Sequence, residues 1–307
     1  MPDLADLPIL RELRDDLDAA FLEAERTSPR RPVRTRRRWL LSAGGLIVAG
    51  VAATVLALTS GIDEGEVASP PATAAELLRR TAQTAREQPS LVPAPDEWFY
   101  VHSLATNLSQ TEGPGPPNPH LITVHRKVWT SLTQRGRLVQ RGGIALPQDS
   151  SGAQGHYFLG NEKLTRDELL AYPTDPKAII ARLTRSYVDG QGGSLDAELF
   201  VQVGDALREQ PAPPALRAGL YRALADIPGV VLVGEVTDRA GRTGLAVART
   251  DHGVRHELVL DAETSELLAE RETLLDPRAA EVKLPAGTLI TDTSYLERAV
   301  TRTTEVR

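Results

Sequence analysis

The chain has 307 residues, 41% of them apolar and 25% charged, which is room for one large or two small domains of ordinary globular balance. It has no cysteine, which excludes disulfides, thiol catalysis and every Cys-based zinc site. A net charge of −6 argues against general nucleic-acid binding, so no direct nucleic-acid partner is expected.

The first 25 residues hold eight carboxylates against Arg11 and Arg14. Within them Leu10, Leu13, Leu17, Ala20, Phe21 and Ala24 recur at helical spacing and share one face. The spacing predicts a helix from about Pro8 to Arg26, with Pro8 in its first turn and Pro29 beyond its end. One amphipathic helix cannot bury its own apolar stripe. Its polar face is acidic, whereas membrane-surface helices are usually basic. The sharper reading is therefore a partner-binding helix that docks through Leu10, Leu13, Leu17 and Phe21. The plainer one is a solvated, partly ordered tail.

Residues 26–38 then carry seven arginines and no carboxylate, and residues 39–60 carry no charge. The run from Leu40 to Leu58, LLSAGGLIVAGVAATVLAL, is 19 residues long and can cross a bilayer as a helix. Arg36, Arg37 and Arg38 precede it; Asp63, Glu64 and Glu66 follow it. The positive-inside rule places the N-terminus in the cytoplasm and the C-terminal part outside, with Trp39 at the inner headgroup zone. The expected localisation is the cell membrane, single-pass, with the lipid bilayer as the first partner.

The rival is a cleaved twin-arginine export signal at Thr35–Leu41. Against it, the apolar run exceeds a signal core, and no A-x-A site follows at Ala57-Leu58-Thr59-Ser60. Gly45, Ala49, Ala53 and Ala57 make a small-residue ridge that could pack a homodimer through the span, although an Ala-rich composition gives the same pattern.

These blocks divide the chain into a cytoplasmic head (1–38), a transmembrane helix (39–60), a spacer (61–72) and an external α+β domain (73–307). In the last, Thr73 to Glu76 reads as a capping box for a helix running to about Glu87. Residues 97–109, 121–134 and 137–143 read as strands, and 111–120 and 147–155 as loops. A helical middle follows. Thr165–Glu168 is a second capping box, and Asp175 and Pro176 open a helix with Ile179, Ile180, Leu183 and Tyr187 on its stripe. Two more helices carry Leu199, Val203, Ala206 and Leu207, and Leu216, Leu220, Tyr221 and Leu224. Four short strands between about residues 230 and 275 form a meander. The expected fold is an antiparallel sheet, its two halves separated in sequence by the helices that pack on it.

No nucleophile elbow, phosphate loop or zinc-protease motif occurs, so neither enzyme activity nor a cofactor is expected. His252 and His256 flank Gly253 at a strand turn, which does not suit a metal site on a helix. Glu266, Glu270 and Glu272 alternate on a strand and read as a solvated face. Trp98, Tyr100 and Trp129 read as core.

Several segments together carry a resemblance: YPTDP at 172–176, LRAGLYRALADIPGV at 216–230, GEVTDRAGRTGLAVA, HELVLDAETSELLAE and the WFYV strand, with the N-terminal span. The combination resembles a family of single-pass membrane proteins of high-GC Gram-positive bacteria, often encoded beside extracytoplasmic-function sigma factors. The resemblance implies an anti-sigma-like signalling protein, with a cytoplasmic sigma factor or other regulator as partner. It also implies an external sensor built as a half-open, lipoprotein-carrier-like sheet. The zinc-type head of anti-sigma factors needs a His-x3-Cys-x2-Cys pattern, which a chain without cysteine cannot supply. The alternative function is an anchored external domain that binds a lipid or hydrophobic ligand without signalling. It predicts an apolar concavity between sheet and helices.

Overall fold

Thr73 starts the first helix, α1 (Ala74–Glu87), by accepting the Glu76 N–H at 3.1 Å. The computed structural model describes residues 71–110, 119–142, 148–154, 156–188, 193–280 and 284–305. The expected capping box is present in altered form. The Glu76 carboxylate reaches back one residue further, to the N–H of Ala72 at 2.9 Å, and also meets Arg80. Leu77, Leu78, Ala82 and Ala85 lie buried on one face of α1.

The strands follow as β1 (Trp98–Gln110), β2 (Pro119–Thr130), β3 (Arg135–Gly142) and β4 (Gln148–Gln154). A hairpin of β5 (Tyr157–Leu159) and β6 (Glu162–Leu164) leads into the helices: α2 (Arg166–Leu170), α3 (Pro176–Leu183), α4 (Leu195–Glu209) and α5 (Pro214–Asp226). The chain then returns through β7 (Val231–Thr237), β8 (Thr243–Asp251), β9 (Val254–Asp261), β10 (Glu266–Leu274) and β11 (Thr288–Thr301). Nine strands form one antiparallel sheet in the order β4-β3-β2-β1-β11-β10-β9-β8-β7.

The fold is therefore α+β, with helices packed on a large antiparallel sheet whose halves flank the helical middle. What the sequence reading lacks is the joint between those halves. β11 lies at the centre of the sheet, paired to β1 on one side and β10 on the other. Residues 147–155, expected as a loop, contain the edge strand β4.

Caps fix the helix starts. Thr165 and Glu168 form the expected reciprocal capping box. Asp175 accepts the Ala178 N–H at 3.0 Å, with Pro176 in the first turn of α3. A bidentate Arg182–Glu162 pair at 2.6 and 2.7 Å ties α3 to β6, and the Arg182 guanidinium lies 4.3 Å from the centroid of the Tyr172 ring.

One core joins helices and sheet. Leu77, Leu78, Ile179, Phe200, Val203, Leu220 and Tyr221 meet Phe99, Val101, Val247, Leu258, Leu260, Leu267 and Tyr295. Close packing leaves no room at Gly219, where a Cβ would stand 2.6 Å from the Thr174 carbonyl oxygen.

The other face of the sheet carries two smaller clusters. Tyr100, Trp129 and Val139 pack together, with Trp98 beside them donating its indole N–H to the Arg135 carbonyl. Ala246, Val259, Leu268 and Ala269 form the second, with Val236 against them. The β7–β8 turn folds over this second cluster. Asp238, its side chain fully buried, accepts the N–H groups of Ala240 and Arg242 and the Arg242 guanidinium. Arg242 also donates to the carbonyls of Leu268 and Tyr295, where β10 and β11 each carry a bulge. Extra residues at a bulge interrupt the ladder and leave such groups in need of a partner.

Candidate functional site

Residues 1–70 lie outside the described part of the chain. Leu10, Leu13, Leu17 and Phe21, the topology residues Arg36, Arg37, Arg38 and Trp39, and the expected span all fall there. Among the described residues, no helix is long and apolar enough to cross a membrane. Nor, among them, do three His, Asp or Glu side chains gather in an arrangement that could hold a metal ion.

An open groove lies between three helix ends. α3 turns Ile179 and Leu183 into the core, which leaves Ile180 and Ala181 to line a groove. Leu199 of α4 and Ile227 and Pro228 after α5 complete its apolar wall. Lys177, Asp196 and Asp226 stand at its rim, and its volume is about 470 Å³. That is the size range of small-ligand and side-chain pockets.

Polar bonds behind the groove hold its walls in place. The Arg249 guanidinium donates to the Pro228 carbonyl at 3.1 Å and the Ser194 hydroxyl at 3.3 Å, and faces Asp251 at 3.5 Å. Asp251 accepts the Ser194 N–H and hydroxyl at 2.9 and 2.8 Å. Burial alone would raise the Asp251 pKa. The two bonds from Ser194, with His252 and Arg249 nearby, outweigh it and keep the carboxyl below its usual range.

Three residues beyond Pro228 the chain enters β7, at the end of the strand order. Val231 and Val233 on it are 55% and 41% exposed. A second hollow, of about 320 Å³, lies at the far end of β7 and is lined by Glu235, Leu245, Leu260, Asp261 and Glu263. The groove, the strand and this hollow follow one another at the β7 end of the sheet.

The helix–sheet interior is different. A cavity among the described residues there, between Phe99, Leu207, Tyr221, Leu267 and Arg298, measures about 30 Å³, the space of a single water. Its polar atoms include Nη2 of Arg298, which is buried without a hydrogen-bond partner; the Arg298 Nε donates to the Arg208 carbonyl. Neighbouring Glu270 faces α4, paired to Arg208 at 3.0 Å and accepting the Tyr295 hydroxyl at 2.9 Å. This corrects its reading as part of a solvated stripe. A bulge at Leu268 resets the alternation of β10, and Gly204 lets α4 approach within reach. An acyl chain does not fit the 30 Å³ cavity, so the apolar concavity expected of a lipid carrier is not found at that place.

The histidines are dispersed. His252 has φ +43° in the β8–β9 turn, with Nδ1 3.2 Å from Asp251. His256 sits on β9 with Nδ1 3.3 Å from Glu272. His102 was not singled out by sequence, because a lone histidine in a strand carries no pattern. It stands between Glu297 of β11 and Lys127 of β2, with its ring 6.2 Å from that of His125. Its Nε2 is buried and has no hydrogen-bond partner. Burial, with Lys127 and His125 adding to it, pushes the imidazole pKa down to about 4.

No family model matches the chain, and no curated protein matches it. Solved structures that align with it include MucB in complex with MucA(peri) (15% identity, TM-score 0.27) and the Pseudomonas aeruginosa MucA/MucB complex (15%, 0.26). MucB alone also aligns (17%, 0.25). The alignments cover 74–75% of this chain but only 56–58% of those chains. TM-scores of this size fall short of a shared fold.

Proposed function

We propose that the chain is a single-pass membrane signalling protein of anti-sigma type. Its external domain, a half-open sheet crossed by helices, meets a partner at its surface. The head helix engages a cytoplasmic sigma factor or other regulator through Leu10, Leu13, Leu17 and Phe21. Arg36, Arg37 and Arg38, with Trp39, hold the head inside. The observation that carries the external half of this reading is the contrast between interior and border. Among the described residues, the hollow between Phe99, Tyr221 and Leu267 is water-sized, whereas an open apolar groove of about 470 Å³ lies at the surface. A domain that reads a partner needs the second, and a domain that encloses a lipid needs the first to be large.

The test of the cytoplasmic half is affinity capture with the full chain in detergent, in cells expressing a neighbouring sigma factor. Recovery of the sigma factor, lost on Leu13→Asp and Leu17→Asp, is expected. No recovery from the wild-type chain contradicts it. The second reading, a tethered ligand-binding domain, keeps one supporting feature, the apolar wall of the groove. A hydrophobic molecule found by mass spectrometry on the purified protein, and displaced by Ile180→Arg, would favour it.

A further inference from the structure

From the border of the sheet we infer that β7 is a docking edge for an extended peptide that alternates apolar with basic side chains. The inference rests on the proposed reading only in taking the external domain as a partner-binding module. It does not depend on the identity of any cytoplasmic partner.

β7 pairs with β8 on one side and, among the described residues, ends the sheet on the other. Every second residue of such a strand directs its N–H and C=O groups away from the sheet, ready to bond another strand. Seven residues give about 23 Å of edge at about 3.3 Å per residue. Val231 and Val233 project from it into solvent. An added strand would cover them with its own apolar side chains, since side chains on neighbouring strands stand side by side.

Charge selects the peptide. Asp226 and Asp196 stand at the groove before β7, with Lys177 beside them and Arg249 3.8 Å from Asp196, and Glu235, Asp261 and Glu263 stand at the hollow after it. Asp226, Glu235 and Glu263 are exposed. The carboxylates thus flank the apolar centre at both ends of the strand. Alternate side chains of an added strand would reach these hollows, and Arg or Lys there would meet the carboxylates.

The same features refuse a second copy of the chain. β7 carries Glu235 and no basic side chain, so a second β7 offers it no cation, and the bulge at Val233, with Gly234 at φ +108°, twists the edge away from flat self-pairing. The edge is guarded against itself and open to a cationic strand.

The probe is a nine-residue peptide alternating valine with arginine, offered to the full chain in lipid nanodiscs. Its controls are the same peptide with glutamate for arginine and one with a central proline. Amide exchange is read across the protein and affinity by fluorescence anisotropy. Slowed exchange concentrated in residues 231–237 is expected, together with weaker binding of both controls. Glu235→Lys with Asp226→Lys, both at exposed positions, should weaken the arginine peptide about tenfold and favour the glutamate one. Equal binding of the arginine and proline peptides, or protection elsewhere than β7, overturns the edge assignment. Protection confined to the groove would do so while leaving the partner-binding reading intact.

Discussion

Asp238 carries the β7–β8 turn. Its buried carboxylate accepts two backbone N–H groups and the Arg242 guanidinium, and Arg242 in turn caps two bulge carbonyls. Removing the carboxylate strands these donors, the Arg242 side chain being one-third exposed. Asp238→Ala should cost about 3 kcal/mol in urea unfolding, as for one member of a buried pair. Asp238→Asn keeps an oxygen for the N–H groups and should cost less.

His102 makes a second prediction, in pH. Its folded pKa of about 4 lies below the unfolded value of about 6.5, so the unfolded chain binds the extra proton first. The stability tied to its neutral form is complete above pH 6.5 and is lost as pH falls towards 4, at most about 3 kcal/mol. Lys127 and His125 repel the added charge and Glu297 lies across from it on β11. Unfolding free energies measured between pH 7 and 4 should fall less steeply for His102→Gln than for the wild type.

Among elements, the helices were the most legible in sequence. Thr165, Asp175 and Pro176 mark helix starts in the residue types that caps require, and the stripes through Ile179, Val203 and Leu220 point inward as spaced. The meander β7–β10 was equally plain, because its turns carry Gly and Asp between apolar runs. β11 was not. Its sequence, TLITDTSYLERAVT, puts Asp292, Glu297 and Arg298 in a strand at the middle of the sheet. Asp292 is buried there because Arg271 of β10 bonds it at 3.1 Å, a partner that only the register reveals. β4, QDSSGAQ, has no large apolar residue and reads as a loop until β3 is beside it. Of the candidate site, the apolar residues were visible but their convergence was not. Ile180, Leu199 and Ile227 come from three elements that meet only in the fold.

Packing between elements gives a third prediction. α5 approaches the turn before α3 so closely at Gly219 that a methyl group would press on the Thr174 carbonyl. Gly219→Ala should therefore destabilise by about 1–3 kcal/mol, the usual cost of overpacking, despite the better helix propensity of alanine. Thermal unfolding followed by circular dichroism would show it as a lowered midpoint.

At the scale of the whole molecule, the proposed function requires two surfaces on opposite sides of a bilayer. The groove and β7 edge belong to residues 73–307, and the proposed head helix would belong to residues 1–38. A signal read outside can reach the head only if the 39–60 run spans the membrane with its arginines inside. The cysteine-free sequence makes this directly measurable, since any thiol is one that has been introduced. Thr27→Cys marks the head, and Gln83→Cys marks an exposed position of α1. Intact cells expressing each full-length variant are treated with a membrane-impermeant maleimide, before and after permeabilisation. The account predicts labelling of the Gln83→Cys chain in intact cells and of the Thr27→Cys chain only after permeabilisation. Labelling of both chains in intact cells, or of neither, would contradict it.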